Sequence, residues 1–462
     1  MPSTLEPSTT VETAIAADVV AAPAQPAVGL AGRYWMLVTS HGVIDIFPIL
    51  FATLLWPLSD RLALTSGQVT FILMATPIFS GLLQPLFAWL TDKRDTRLCG
   101  PVGLALGAVC IGSIGFAQNF WQLIALQIVG VIGTGMYHPI STALAGQTGT
   151  RLLRNGRTQA IGIFISAGMA GHFIGAEFGP VASKAFGMES IAWLIPPSLL
   201  LAIALHVTLR RLPHRHDNHA ELHASFSPGE SARRWRAVAV LTAQNGLRFI
   251  VNVGLLAVML NVWSKSKVLA EVAAGASMTE TEIAENASIH TGSLVASLTV
   301  GMGIGVIATG RYIKRGQERT PLIILSLIGA AFAAALGPLG DWLFSVGGWS
   351  FWAMLPMYIC TAGTALGFFA TFPIATSFAQ RLQPGHTGLV TSLMMGVGWG
   401  ISSLCVPLAF LFFGLVGAKD APMLSPMRIN MGFYGFAALM VLAGMLTLAI
   451  PRDLFARVAD DH

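Results

Sequence analysis

Long apolar runs separated by short polar stretches organise this chain. Runs of roughly 20 residues, the length a helix needs to cross a bilayer, recur near 34–57, 67–91, 98–117, 119–146, 157–185 and 190–210. A second set follows near 235–263, 290–313, 320–340, 349–378, 387–415 and 430–451, after a polar stretch at 211–234. The pattern predicts an all-α membrane protein with twelve transmembrane helices, six in each of two bundles at 34–210 and 235–451. Residues 1–33, rich in Ala, Pro, Thr and Val, read as a disordered tail without the basic start and cleavage site of a signal peptide. Residues 452–462 read as a short closing tail, and 264–289 as the longest loop on the far side.

A charged hairpin sits between the second and third runs, with Ala88, Asp92, Lys93 and Arg97 at fixed spacing. A worn copy follows the eighth run, with Gly310, Lys314, Arg315 and Arg319 at the same spacing, 222 residues further on. One loop repeated at the same place in each half points to an internally duplicated protein, an arrangement frequent in carriers.

Composition excludes a soluble protein. Charged residues make up 11% of the chain and hydrophobic ones 54%, whereas soluble domains carry about 25% charged residues. The net charge of +5 therefore signals topology and not nucleic-acid binding. Arg and Lys crowd alternate loops, among them Lys93, Arg94, Arg97, Arg151, Arg154, Arg210, Arg311 and Arg315. That bias places both termini in the cytoplasm, and the chain is read as a protein of the inner (plasma) membrane. Cys99, Cys110, Cys360 and Cys405 lie in apolar segments with no paired spacing, so disulfide and metal roles are not expected. His214, His216, His219 and His223 in the polar linker are irregularly spaced and read as solvated.

Ionisable residues inside the runs are costly unless they face a cavity or a partner. His41 and Asp45 are four apart in the first run and share a helical face near mid-membrane. Asp45 is the candidate proton acceptor, with His41 its partner or a substrate contact; a structural pair locking the packing is the alternative. Arg248 lies at similar depth in the seventh run with Gln244, Asn245 and Asn252, a set suited to an anion. Arg248 could instead pair with Asp45. His138, before Pro139 in the fourth run, either bonds a backbone carbonyl or lines the cavity. In the fifth run His172 falls on a glycine face; Glu177 lies opposite, a second proton site or a hydrated carboxylate. Arg381 and His386 read as cytoplasmic surface, and Trp35, Trp56, Trp89, Trp121 and Trp193 as interfacial anchors.

Twelve spans in two halves, with Asp92, Lys93 and Arg97 after the second and Gly310, Arg315 and Arg319 after the eighth, resemble the major facilitator superfamily. Ala88 replaces the family's glycine, and Lys314 stands at the acidic position of the second copy. More locally, Ser40-His41-Gly42 with Asp45, Leu83-Gln84-Pro85, Tyr137-His138-Pro139 and the glycine-rich run Met394–Gly400 resemble the fosmidomycin-resistance type of efflux transporter, although Ile140 stands where that family often has glutamate. The resemblance implies two pseudo-symmetric six-helix bundles, gating by the two charged loops, and an antiporter signature at Gly175, Gly179 and Pro180, with Ser183 at its last position. Those glycines are expected at the seam between halves. The reading is a proton-coupled antiporter exporting a small organic, plausibly anionic solute. A proton symporter or uniporter importing an organic anion is the alternative, and a membrane sensor on the same fold a distant one. No enzyme activity, cofactor or metal is expected; the partners are the solute, protons and lipid, and the protein reads as a monomer.

Overall fold

The computed structural model describes residues 27–93, 98–153, 156–210, 226–313, 316–415 and 424–460. Twelve helical spans emerge: α1 Gly29–Thr53, α2 Ser66–Phe87, α3 Cys99–Phe116, α4 Phe120–Thr150, α5 Gln159–Phe186, α6 Met188–Leu209, α7 Pro228–Ala273, α8 Glu280–Tyr312, α9 Arg319–Gly347, α10 Phe351–Leu382, α11 Leu389–Phe412 and α12 Pro426–Ala449. A further helix, α13 (Arg452–Asp460), follows. Spans α1–α6 and α7–α12 form two bundles, as the run pattern predicted. With every face of a span apolar, direction is set by what packs rather than by amphipathicity. Trp121, Leu200, Val346 and Trp352 are exposed on the outside of the bundles, whereas Trp263, Tyr34 and Phe433 are sealed inside.

The stretch 264–289 is not a loop. Helix runs to Ala273 and resumes at Glu280, leaving only 274–279 outside it. Ala-rich sequence favours helix. The restart is fixed by a capping box: Glu282 N–H donates to Thr279 Oγ1 (3.2 Å) and Thr279 N–H to Glu282 Oε2 (2.8 Å). At the other end of the chain, α13 is an ordered helix. Leu454 and Phe455 are buried, with Phe455 stacked on Phe378 of α10 at 4.3 Å. Arg233 donates to Asp453 at 2.5 Å and holds that exposed carboxyl below its ordinary range.

Two seams join the halves. Along one, α5 packs on α8, and a Cβ at Gly292 would lie 2.4 Å from the Ala176 carbonyl. Along the other, α2 meets α11 so closely that a Cβ at Gly81 would lie 2.5 Å from the Gly400 nitrogen. Among the described residues, several side-chain bonds bridge the halves at the end of the bundles that holds Thr53 and Asn261. Ser288 donates to the Thr53 carbonyl (2.5 Å), Trp56 to the Asn261 carbonyl (3.1 Å), Lys184 to Asn286 (2.6 Å) and Thr281 to Asp60 (3.1 Å). Trp56 is thus an inter-half contact with Lys265 over its ring, whereas Trp35, Trp121 and Trp193 are exposed and the side chain of Trp89 lies outside the described residues.

Arg381, expected at the surface, forms a buried ion pair with Glu318, tying the start of α9 to the end of α10. Glu318 lies in the second charged loop, four residues after Lys314, so an acid is present there but four positions further on. Arg381→Met would strand the Glu318 carboxylate and is expected to lower unfolding stability by about 3 kcal/mol, measured as a reduced denaturation midpoint; the exposed Arg428→Met serves as the neutral control.

Candidate functional site

Prolines decide where the mid-membrane polar groups sit. Pro48 supplies no N–H for the Ile44 carbonyl, and the helix of α1 is interrupted at Asp45. Asp45 is 3% exposed and faces three imidazoles. His138 Nε2 of α4 lies 3.1 Å from its Oδ1; His41 Nε2 and His172 Nε2 of α5 lie 3.3 and 4.0 Å from its Oδ2. Gly168 makes this possible, since a Cβ there would fall 2.3 Å from Asp45 Oδ2 and 2.7 Å from the His41 ring.

The remaining ring nitrogens matter as much. His41 Nδ1 bonds the Phe164 carbonyl and His138 Nδ1 the Thr134 carbonyl, both at 2.6 Å. A carbonyl only accepts, so each Nδ1 carries a hydrogen and donates. A neutral ring then turns a lone pair at Nε2 toward a carboxylate oxygen. Each Nε2···O contact becomes attractive only with a proton in the gap. The arrangement is therefore suited to taking up and releasing protons. His41, Asp45 and His138 also offer three ligand atoms within 4.8 Å of one another, near enough for a small ion. Contacts of 3.1 and 3.3 Å are lengths that protons fill without rearrangement. His172 Nδ1 has no bonding partner among the described residues. Beside the cluster, Tyr137 and Ser40 share a 2.6 Å hydroxyl contact.

His138, expected among the substrate contacts, lies instead against Asp45 through Nε2, and its Nδ1 bonds a backbone carbonyl one turn back, the first of its two sequence readings. His172 was visible in sequence only as a histidine on a glycine face. Glu177 stands apart: it bonds Ser293 of α8 at the inter-half seam.

Arg248 is 2% exposed and lies in the other bundle. Its Nη2 donates to Ser326 Oγ (2.8 Å) and the Leu322 carbonyl (3.1 Å) of α9, and more weakly to Gln244 Oε1 (3.4 Å). Gln244 Oε1 also accepts from Thr447 at 2.8 Å. Asn245 donates to the Met394 carbonyl at 2.5 Å. Arg248 Nε and Nη1 and Asn252 Oδ1 have no partner among the described residues. The expected alternative of an Asp45–Arg248 pair is not formed. Each group is held by its own half, and the small cavity beside Arg248 is walled by second-half residues.

The glycine face of α5 corrects another expectation. A Cβ at Gly171 would lie 1.9 Å from the Gly42 carbonyl, one at Gly175 2.4 Å from the Ile46 carbonyl, and one at Gly179 2.7 Å from Leu50. These glycines pack on α1 within the first half. The inter-half seam uses the other face, where Pro180 lies 3.2 Å from a Cβ at Gly292. Of the loop residues, Arg97 and Arg315 lie outside the described residues, as do the side chains of Asp92 and Lys93; Arg319 opens α9.

The Major Facilitator Superfamily profile matches residues 37–407. The chain belongs to this superfamily. It is 22% identical over 466 residues to the Fosmidomycin resistance protein of Escherichia coli (strain K12), covering 93% of this chain and 97% of that one. It is 28% identical over 165 residues to Multidrug resistance protein MdtG of Serratia proteamaculans, covering 35% of this chain and 38% of the other. Among solved structures, a bacterial homologue of the human drug peptide transporters PepT1 and PepT2 superposes with a TM-score of 0.65 at 13% identity, over 92% of this chain and 99% of that one. The Escherichia coli fucose:proton symporter gives 0.55 at 13% identity, over 92% and 99%. These likenesses fix the superfamily fold. The protein is a multi-pass membrane transporter and not an enzyme.

Proposed function

We propose that this superfamily transporter is a proton-coupled antiporter that exports a small organic anion. The observation that carries the reading is Asp45, buried between imidazoles whose orientation leaves a proton-sized gap on each side. Costly groups of this kind at mid-membrane are kept for ion or substrate handling. An anion suits Arg248, which no carboxylate neutralises among the described residues, with Gln244, Asn245 and Asn252 around it. The resistance names of the relatives support export as the direction of transport. In the proposed cycle the solute leaves outward, and a proton entering onto the Asp45 cluster resets the carrier. His41 and His138 share that proton, and Glu177 at the seam is a second, more hydrated proton site. The loop residues Asp92, Lys93, Arg97, Arg315 and Arg319 gate the terminal side, which is cytoplasmic by the positive-inside rule. Gly175 and Gly179 hold α5 to α1, so Pro180 and the opposite face form the seam. One chain contains both sites, so the monomer is the working unit.

The test uses everted vesicles carrying a pH-sensitive dye, with the acid interior set by respiration. Added fosmidomycin, a phosphonate, is expected to release interior protons in proportion to its uptake, and only when this protein is present. Co-movement of protons with the phosphonate would mark a symporter and overturn the antiport reading.

A further inference from the structure

The internal repeat can be followed side chain by side chain, and the two halves differ where it matters. His41 Nδ1 bonds the Phe164 carbonyl of α5; Asn245 Nδ2 bonds the Met394 carbonyl of α11. Both residues precede a glycine, Gly42 and Gly246. A Cβ at Gly168 would strike Asp45 and His41; one at Gly398 would strike Phe249 at 2.8 Å and Asn245 at 3.3 Å. His138 precedes Pro139, and Phe372 precedes Pro373. The correspondence is therefore His41 with Asn245, Asp45 with Phe249, and His138 with Phe372. Where the first half has a carboxylate facing an imidazole, the second has two phenyl rings edge to face at 5.9 Å.

In the same register Arg248 matches Ile44, a fully buried residue of the first bundle's core. The fold thus fills this position with plain hydrocarbon in one half. In the other it carries a buried guanidinium with two of its three nitrogens unpartnered among the described residues. Around it Phe249, Phe368, Phe369 and Phe372 wall a cavity of about 10 Å³, which Asn245 and Asn252 also line. That is room for about one water, so occupancy requires the walls to part. The helix of α10 is interrupted at Ala370, between Phe369 and Phe372, where Pro373 supplies no N–H to the Phe369 carbonyl. The two rings sit on opposite sides of that break.

We infer that this recess takes a flat aromatic anion, its charged group on Arg248, its ring among Phe249, Phe369 and Phe372, and a donor on Asn252 Oδ1. Aromatic rings favour edge and offset contacts with phenyl side chains. The proposal deepens the anion-export reading by naming the body of the solute, and it assigns solute and proton to different halves.

The test is equilibrium binding to purified protein in nanodiscs without a pH gradient, by calorimetry. Benzylphosphonate and butylphosphonate share a head group and differ in the body; benzyl alcohol lacks the charge. Benzylphosphonate is expected to bind about tenfold more tightly than butylphosphonate, and benzyl alcohol not measurably. Phe372→Leu should erase the preference for the ring. Asn252→Asp should weaken both phosphonates by placing a competing carboxylate beside Arg248, and it keeps the proposal testable where Arg248→Gln fails to fold. Equal affinity for the two phosphonates, or unchanged binding in Phe372→Leu and Asn252→Asp, would overturn the proposal. Ring-selective binding without proton release would sink proton coupling alone; proton release without ring selectivity would sink the aromatic recess alone.

Discussion

Asp45→Asn is expected to leave the protein folded while removing its response to a pH gradient. Asparagine has the shape of aspartate. Its Oδ1 can accept from one imidazolium and its Nδ2 can donate to the lone pair of a neutral ring, so the contacts to His41 and His138 at 3.3 and 3.1 Å keep partners. What it cannot do is take up a proton. In everted vesicles, uptake of labelled fosmidomycin driven by an imposed pH gradient should fall by about tenfold or more, the factor that accompanies ~1.4 kcal/mol of lost coupling. Exchange of labelled for unlabelled solute without a gradient should persist. Asp45→Leu separates the two roles of the residue. It leaves the imidazoles of His41 and His138 facing hydrocarbon at about 1–3 kcal/mol for each stranded polar group, and should lower stability as well as transport. Full gradient-driven uptake in Asp45→Asn would show that the proton is carried elsewhere.

The second large effect is structural. Gly171→Val would place a Cβ 1.9 Å from the Gly42 carbonyl, with Asp45 Cβ at 3.3 Å. The obstacle is backbone, which no rotamer change relieves. The helices α1 and α5 must then part along the face that also carries Gly168 and Gly175. Overpacking of this kind costs about 3 kcal/mol, and the displacement falls directly on the Asp45 cluster. Both the thermal midpoint in detergent and the gradient-driven uptake should drop. Gly162→Ala on the same helix meets nothing within 4 Å and is expected to be neutral or to stabilise by about 1 kcal/mol. An unchanged midpoint in Gly171→Val would mean that α1 and α5 do not touch in the working protein.

Parts of the site were legible because their signal is local. Asp45 and His41 stand out as ionisable groups inside an apolar run, and four-residue spacing alone puts them on one face. Arg248 is exposed by the same reasoning. The partners were not legible. His172 is 127 residues beyond Asp45, and nothing in its own helix says which neighbour it meets. Arg381 reads as a surface charge until the ends of α9 and α10 are seen to pack and Glu318 is found beside it. The glycines of α5 were recognised as a close-packing face, yet a glycine face does not name the helix that it admits.

From the amino-acid order alone came the membrane class, the twelve spans, their six-and-six division and the short set of mid-membrane polar residues, because bilayer thickness and the cost of burying charge act on each run by itself. Only the folded bundle decided which of those residues meet. Asp45 is enclosed by histidines from three different helices, Arg248 is left among phenylalanines in the opposite half, and the two stay apart. Such choices depend on the rotation of each helix about its axis. Where every face is apolar, composition leaves that rotation open, and close packing at glycines and bends at prolines fix it.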